Sequence, residues 1–127
     1  MKIDIHVHTK KIKGGDAETR NVSIDKFDEI IRTTDVKILA ITNHNHFDAK
    51  QYSEFKDSVE DICQIWPGVE LDVVEDRRRG HLIVIANPAN YLKFDSQVKV
   101  LVGNQSPDKF TTSLERVVDH LDSLDCI

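Results

Sequence analysis

The apolar positions of the chain follow two different periods, and segments of the two kinds alternate. Runs with a period of two, and continuous apolar runs bounded by turn residues, predict five β-strands. The predicted strands cover residues 2–7, 36–42, 69–74, 81–86 and 98–102. A sheet assembled from these segments is therefore the expected centre of the fold.

Between the strands, the apolar spacing changes to three and four residues, which predicts three amphipathic helices. Their apolar faces are Ile24, Phe27, Ile30 and Ile31, then Tyr52, Phe55, Val59 and Ile62, and finally Leu114, Val117, Val118, Leu121 and Leu124. Ser23, Asp48 and Thr112 are placed to cap the three helices. Gln51 and Glu115 each follow a cap by three residues, which is the spacing of a capping box.

Strands that alternate with helices predict parallel βαβ units, because a parallel return needs a crossover that packs back on the sheet. The predicted fold class is α/β. One pair of segments departs from this alternation, since only the short EDRRRG sequence separates the strand at 69–74 from the strand at 81–86. We expect a hairpin or a protruding loop at this point rather than a helix.

Composition limits the classes of protein that fit. A chain of 127 residues with 39% hydrophobic and 31% charged residues suffices for one domain over 1–127. The formal net charge of -5 argues against general electrostatic binding of a polyanion. The polar first residues and the lack of a long apolar run predict a cytoplasmic protein with no membrane partner. Cys63 and Cys126 show no CxxC spacing, which indicates reduced thiols.

Histidines and acidic residues cluster near the ends of the predicted strands, where α/β folds place their active sites. His6 and His8 are two residues apart on the first strand, so both imidazoles face the same side and can reach one metal ion. His44 follows the second strand, Glu70 follows a Pro-Gly turn, and His81 opens the next strand. A hairpin would bring Glu70 and His81 back together. Packing alone does not explain four such elements, because buried histidine and glutamate are costly without partners.

The ordered motifs HVHT, TNHN, PGVE and GHLIVIA resemble those of the PHP (polymerase and histidinol phosphatase) family, over residues 1 to about 88. The resemblance implies that the chain is the N-terminal part of a distorted (βα)7 barrel. It also implies a cluster of two or three metal ions at the C-terminal ends of the strands, and the hydrolysis of phosphate esters. Under this interpretation the complete domain needs ligands that lie beyond residue 127.

The resemblance also implies a role for each matching residue. His6 and His8 would hold one ion, Glu70 would bridge it to a second ion bound by His81, and His44 would serve a third. Asn43, His44 and Glu70 occupy the positions assigned to catalysis. These ligands suit zinc, manganese, iron or nickel, and the sequence does not choose among them. Such ions would activate a water molecule and neutralise charge on the phosphoryl oxygens.

The chain departs from the family pattern at two positions near the site. Asn43 stands where the family usually has aspartate, and an amide cannot take a proton near neutral pH. The segment after HVHT lacks the histidine that some members have there. Asp16 could substitute as a ligand, although we interpret it as an ordinary loop aspartate. Both departures leave the activity of the site open.

Several other residues are further candidates for the site. Arg77, Arg78 and Arg79 lie in the segment between Glu70 and His81, so they are candidates for contacting a substrate phosphate. The remaining candidates are interpreted as surface groups or, for the tryptophan, as a packing residue: His46, Asp119, His120 and Trp66.

Three functions remain open on the sequence. The leading one is a metal-dependent phosphoesterase that acts on a phosphorylated small molecule or a nucleic acid. The second is a degenerate, non-catalytic PHP module with a structural or regulatory role in a larger protein such as an ATPase or a polymerase, which Asn43 favours. The third is an amidohydrolase with the same HxH opening. Half a barrel leaves open sheet edges, so self-association or pairing with a C-terminal segment is expected.

Overall fold

The computed structural model describes residues 1–127 and contains one four-stranded sheet. Its strands are β1 (Lys2–Val7), β2 (Val36–Ile41), β3 (Gln64–Glu75) and β4 (Arg78–Ile85), and they lie side by side in chain order. β2 is parallel to both β1 and β3, whereas β4 is antiparallel to β3. The predicted α/β class and the predicted hairpin are both confirmed.

The helices lie between and after the strands. They are α1 (Ile24–Thr33), α2 (Ala49–Val59), α3 (Tyr91–Val102) and α4 (Leu114–Leu121), with short 3-10 helices at Glu18–Arg20, Pro88–Asn90 and Asp122–Leu124. The hydroxyl of Ser23 caps α1 and the carboxylate of Asp48 caps α2, as predicted. None of these helices has the length and apolar character required to cross a membrane.

The N-cap of α4 differs from the prediction. Ser113, and not Thr112, caps this helix by accepting a hydrogen bond from the backbone N–H of Arg116. Thr112 instead pairs with the outer edge of β3, where its N–H donates to the carbonyl of Asp72 and its carbonyl accepts from Val74. Because Thr112 is extended and bonds to β3 through its backbone, it does not serve as the N-cap of α4.

The predicted fifth strand at 98–102 is wrong, because these residues form the last part of α3. Phe94, Val98 and Leu101 are buried, and they are spaced as one face of a helix. Val100 is exposed on the opposite side. The alternating segment VKVLV is only part of a longer segment with helical spacing. A window of five residues therefore indicates the strand period instead of the helical one.

A single apolar core lies between the sheet and the helices. The rings of Phe27 on α1 and Phe55 on α2 stack with their centroids 4.6 Å apart. Phe47, which follows β2, packs edge-on against Phe94 of α3 at 5.0 Å. Buried aromatic contacts of this kind add to the apolar area removed from water.

β3 is the element that joins the two parts of the sheet. Residues 64–67 pair in parallel with β2, and residues 68–75 pair antiparallel with β4. Gly68 lies at the change of partner, where an added Cβ would meet the Thr42 methyl carbon at 2.8 Å and the Val84 carbonyl oxygen at 3.0 Å. The strands approach closely at this point because the residue has no side chain.

The hairpin between β3 and β4 turns through two residues, Asp76 and Arg77. Their φ angles are 47° and 65°, so both lie in the left-handed region. Two successive positive φ values are the signature of the type I′ turn, whose twist matches that of the flanking strands. The turn fixes the register in which Asp72 lies opposite His81 and Glu75 opposite Arg78.

Candidate metal site

The carboxylate of Glu70 is the centre of a cluster of four imidazoles. Its Oε2 atom lies 3.2 Å from Nε2 of His6, 3.2 Å from Nε2 of His8 and 2.7 Å from Nε2 of His44. Its other oxygen, Oε1, lies 2.8 Å from Nδ1 of His81. All five residues that the sequence proposed as metal ligands therefore meet at one place.

The strands explain why these residues converge. His6 and His8 project from the same side of β1 and its end, so their Nε2 atoms lie only 3.1 Å apart. His44 follows β2 and forms a parallel bridge with Glu70, where the N–H of Asn45 donates to the Glu70 carbonyl. His81 comes from β4 across the hairpin. Each ligand is thus fixed by sheet backbone rather than by a free loop.

The cluster divides into two groups that could each hold an ion. One contains His6, His8 and Glu70, and the other contains His44, Glu70 and His81. Within each group, the candidate ligand atoms lie within 4.8 Å of one another. Glu70 belongs to both groups, so its carboxylate could be shared between two ions. Imidazole nitrogen and carboxylate oxygen are suitable ligands for zinc, iron and manganese.

The bonding of Glu70 fits a shared cation better than it fits a protein hydrogen-bond network. The side chain is only 3% exposed, yet Oε2 has no hydrogen-bond partner although three imidazole nitrogens surround it. Native proteins rarely leave a buried carboxylate oxygen without a partner. A metal ion bound by the same atoms would satisfy the oxygen and the nitrogens together.

The ionisation states around Glu70 agree with this role. Burial opposes the ionisation of Glu70, but contact with His6 and the charges of His44 and His81 outweigh it and hold the Glu70 pKa below its ordinary value. Burial, helped by the charges of Arg20 and His44, lowers the pKa of His8 to about 4. His8 is therefore neutral near pH 7, and neutral imidazole is the form that binds metal.

Asp16 orients His44. The side chain of Asp16 is buried, and its Oδ1 atom lies 2.8 Å from Nδ1 of His44 and 2.9 Å from Nη1 of Arg20. Its Oδ2 atom accepts from the backbone N–H groups of Ile12 and Lys13. When Nδ1 of His44 donates to Asp16, Nε2 is left without a proton and faces Glu70. Carboxylates commonly fix metal-binding imidazoles in this way.

The pKa of Asp16 is also shifted. Burial raises it, but the N–H groups of Lys13 and Ile12 and the contact with His44 outweigh burial and bring the pKa to about 2. The sequence interpretation of Asp16 as an ordinary loop aspartate missed this contact. The available signal was Arg20 four residues later, which forms the ion pair that accompanies the buried carboxylate.

Asn43 lies beside the cluster without contacting a candidate ligand through its side chain. Its Oδ1 atom accepts from the backbone N–H groups of Thr9 and Lys10, at 2.9 and 3.1 Å. Its Nδ2 atom donates to the hydroxyl of Thr9. The amide therefore holds the loop that follows His8. A carboxylate could accept the same two N–H groups, but it could not donate to the hydroxyl.

Asp72 and Asn45 form a second group of polar contacts that the sequence did not reveal. Asp72 Oδ1 lies 3.2 Å from Nε2 of His81, so this imidazole is held between Glu70 and Asp72. Asn45, with a φ of 48°, bonds to the backbone N–H and the carboxylate of Asp72 and to the carbonyl of Pro107. Lys13 pairs with the same carboxylate at 2.5 Å.

The three arginines occupy different environments. Arg77 belongs to the turn, and Arg78 lies opposite Glu75 at the start of β4. Arg79 is two residues from His81, and both line a cavity of about 420 Å³ beside the cluster. Side chains alternate along a strand, so Arg78 projects from the other face. Of the three, Arg79 is the one that lines the cavity next to the candidate ligands.

The remaining candidates lie away from the cluster. His46 is half-buried, and burial together with the charge of Lys10 lowers its pKa, but it belongs to neither group of candidate ligands. Asp119 and His120 lie on α4. Trp66 lines a different pocket, between the start of β3, the end of β4 and the last residues of the chain. Cys63 and Cys126 are free thiols, in agreement with the absence of a disulfide pattern.

Comparison with solved structures identifies similar folds. A candidate metal-dependent phosphoesterase from Bifidobacterium adolescentis matches 78% of this chain with a TM-score of 0.52 and 20% sequence identity. An amidohydrolase from Chromobacterium violaceum with bound sulfate and no metal matches 78% of the chain with a TM-score of 0.51 and 19% identity.

The chain spans 32% of the length of each of these two proteins. The curled sheet thus corresponds to a fragment of a barrel-type phosphoesterase fold, which confirms the predicted fold class. No protein-family model matches the sequence. No curated protein matches it either. At these identities the likeness establishes the fold alone.

Proposed function

We propose that the chain carries part of the active site of a metal-dependent phosphoesterase of the PHP type. The observation that carries the proposal is the placement of Glu70, whose buried carboxylate is shared by two groups of candidate ligands and whose Oε2 lacks a hydrogen-bond partner. Paired metal ions bridged by one carboxylate are a recurrent arrangement in enzymes that cleave phosphate esters.

The residues would divide the work as follows. His6, His8 and Glu70 would hold one ion, and His44, Glu70 and His81 would hold the other. Zinc, manganese or iron, when bound, would supply an activated water and neutralise charge on the phosphoryl group. Asp16 would keep His44 in the tautomer that binds through Nε2, and Asp72 would restrain the His81 ring.

The two solved structures support a hydrolase of this kind. One is described as a candidate metal-dependent phosphoesterase, and the other holds sulfate, a tetrahedral oxyanion like phosphate. The chain covers about a third of each, so we propose that further strands complete the barrel and add ligands. The same proposal includes a cytoplasmic location and a phosphorylated small molecule or nucleic acid as substrate. It also includes covering of the open sheet edge, either by self-association or by a C-terminal segment.

Metal content provides the direct test. The purified chain, dialysed against zinc or manganese and then against metal-free buffer, should retain ions that elemental mass spectrometry detects. The double variant His6→Ala/Glu70→Ala should retain none, whereas His120→Ala, which changes a histidine on α4, should match the unaltered chain. Equal retention by all three proteins would rule out the cluster as the metal site.

Substrate tests separate the phosphoesterase from its alternatives. With the barrel completed, hydrolysis of a generic phosphomonoester or phosphodiester should depend on added metal and should disappear in His8→Ala. The similarity to an amidohydrolase makes amide or lactone hydrolysis the second candidate function. Turnover of amides but not of phosphate esters would replace the first proposal with the second. Metal binding with neither activity would instead favour the non-catalytic module that Asn43 suggested.

A further inference from the structure

A cavity of about 420 Å³ opens beside the candidate metal site. His81 and Asp72 form the wall that it shares with the cluster, Arg79 lies further along β4, and residues 108–111 close the opposite side. Pockets that hold small molecules are of this size. Most of the lining residues are polar or charged, so the cavity suits a charged group rather than an apolar one.

The charges in the cavity are not balanced. Lys13 is paired with Asp72, and the carboxylate of Asp108 accepts a hydrogen bond from the N–H of Gly14 at 2.7 Å. Arg79 and Lys109 also line the cavity, and neither has a carboxylate within the 4.0 Å of an ion pair. Lys13, Arg79 and Lys109 stand against the carboxylates of Asp72 and Asp108, so the charged side chains of the lining carry a net charge of +1 in a chain whose net charge is -5.

The geometry relates these cations to the metal site. Arg79 and His81 are two residues apart on β4, so they project from the same face with their Cα atoms about 7 Å apart. A guanidinium matches the geometry of phosphate and carboxylate oxygens, and a lysine ammonium adds charge. An anion held by Arg79 and Lys109 would therefore lie next to the ions without replacing His81 as a ligand.

From this arrangement we propose that the cavity binds a second oxyanionic group of the substrate, distinct from the group that is hydrolysed. The inference rests on the proposed function and narrows it, since the preferred substrate becomes a phosphate ester that carries another phosphate or a carboxylate. Arg79 and Lys109 are the residues that select it. Arg78, on the other face of β4, takes no part.

Anion binding without metal tests the cavity independently of catalysis. The metal-free chain, in buffer containing a chelator, is titrated with inorganic phosphate and separately with acetate while amide chemical shifts are recorded. Saturable shifts are expected at residues 79–81 and 108–111, and the anion with the lower dissociation constant indicates whether the group is phosphate or carboxylate. Arg79→Gln and Lys109→Gln should each weaken binding by about 3- to 10-fold.

The matched control is Arg78→Gln, which removes the same charge from the neighbouring position and should leave the dissociation constant unchanged. An equal loss of anion affinity in Arg78→Gln would show that binding depends only on the overall charge of the chain, and it would overturn the proposal. Shifts confined to His6 and His8, or no saturable shift with either anion, would also overturn it. Phosphate binding in the cavity of a chain that takes up no metal would refute the proposed function while leaving the anion site in place.

Discussion

Glu70 and His81 contact each other diagonally across the β-hairpin. Glu70 is paired in the sheet with Ile83, and His81 is paired with Asp72, yet Oε1 of Glu70 lies 2.8 Å from Nδ1 of His81. Residues on a diagonal lie on the same face and within reach of long side chains. The contact uses one carboxylate oxygen, so the other remains directed at the imidazoles of the first two strands.

The shared carboxylate predicts different metal stoichiometries for two variants. Glu70→Gln should lose both ions, because the amide removes the charge and one acceptor oxygen from both groups of ligands. His6→Ala should lose only the ion bound by His6 and His8. Titration calorimetry with zinc measures both stoichiometries. Two ions retained by Glu70→Gln would contradict the bridging role.

Asp16→Asn should lower both the free energy of unfolding and the affinity of the site for metal. The amide keeps one oxygen, but its NH2 group would face either the two backbone donors or His44 and Arg20. We expect a loss of about 2 kcal/mol in the free energy of unfolding, measured in urea without metal. Metal affinity should fall by about 10- to 100-fold.

Asp57→Asn serves as the control for that loss, since this aspartate is exposed and its only ion pair, with Lys56, spans 3.5 Å. It should change stability by less than about 0.5 kcal/mol. Equal effects of the two variants would mean that the buried contacts of Asp16 do not stabilise the loop.

Gly68→Ala should be destabilising although it adds only a methyl group. The new Cβ would lie 3.0 Å from the Val84 carbonyl oxygen and 3.1 Å from that of Ile41, so backbone on both sides would have to move. Overpacking of this kind costs about 1–3 kcal/mol. Urea unfolding measures the loss, and Gly80→Ala on β4 provides the comparison because an added Cβ there meets nothing within 4 Å.

Stability at alkaline pH should depend on Tyr52. Burial, with the nearby charges of Tyr91 and Asp57, raises the pKa of Tyr52 to about 12, and its hydroxyl donates to the carbonyl of Ile65. The unfolded chain loses this proton near its ordinary pKa of 10, so the folded state binds more protons between pH 10 and 12. The free energy of unfolding should therefore fall as pH rises through that window.

Tyr52→Phe should remove this part of the pH dependence and cost about 1 kcal/mol at pH 7 through the lost hydrogen bond. Unfolding in urea at pH 8 to 12 measures both effects. The companion variant Tyr91→Phe should retain the decline. An unchanged pH dependence in Tyr52→Phe would show that another group causes it.

The ligands of the site could be predicted from the sequence because strand periodicity and motif order bring them together. The expected strand ends hold only for His6, His8 and His44, since Glu70 lies within β3 and His81 lies within β4. Alternation places His6 and His8 on one side of β1, and the short segment between the last two strands predicts the hairpin that brings His81 to Glu70. These inferences need only the period of each strand and the order of the motifs. They do not need the positions of distant side chains.

The residues that support the ligands could not be found in this way. Lys13 and Asp72 are 59 residues apart, and Gly14 contacts Asp108 across 94 residues. Such contacts depend on how loops fold over the finished sheet, which local periodicity does not encode. The error at 98–102 has a different cause. Val98, Val100 and Val102 alternate as in a strand, whereas Val98, Leu101 and Val102 have helical spacing, so five residues do not decide between the two periods.

The two-residue turn at Asp76 and Arg77 also determines on which face of the sheet His81 lies. Inserting or removing one residue there would shift β4 by one position and send His81 and Arg79 to the opposite face of the sheet. A change of side chain in the turn would not shift β4, whereas a change in the length of the turn would. Gain or loss of a single codon at this turn would also turn Val84 of β4 out of the core, so the packing of the sheet and the fourth imidazole of Glu70 would be lost together.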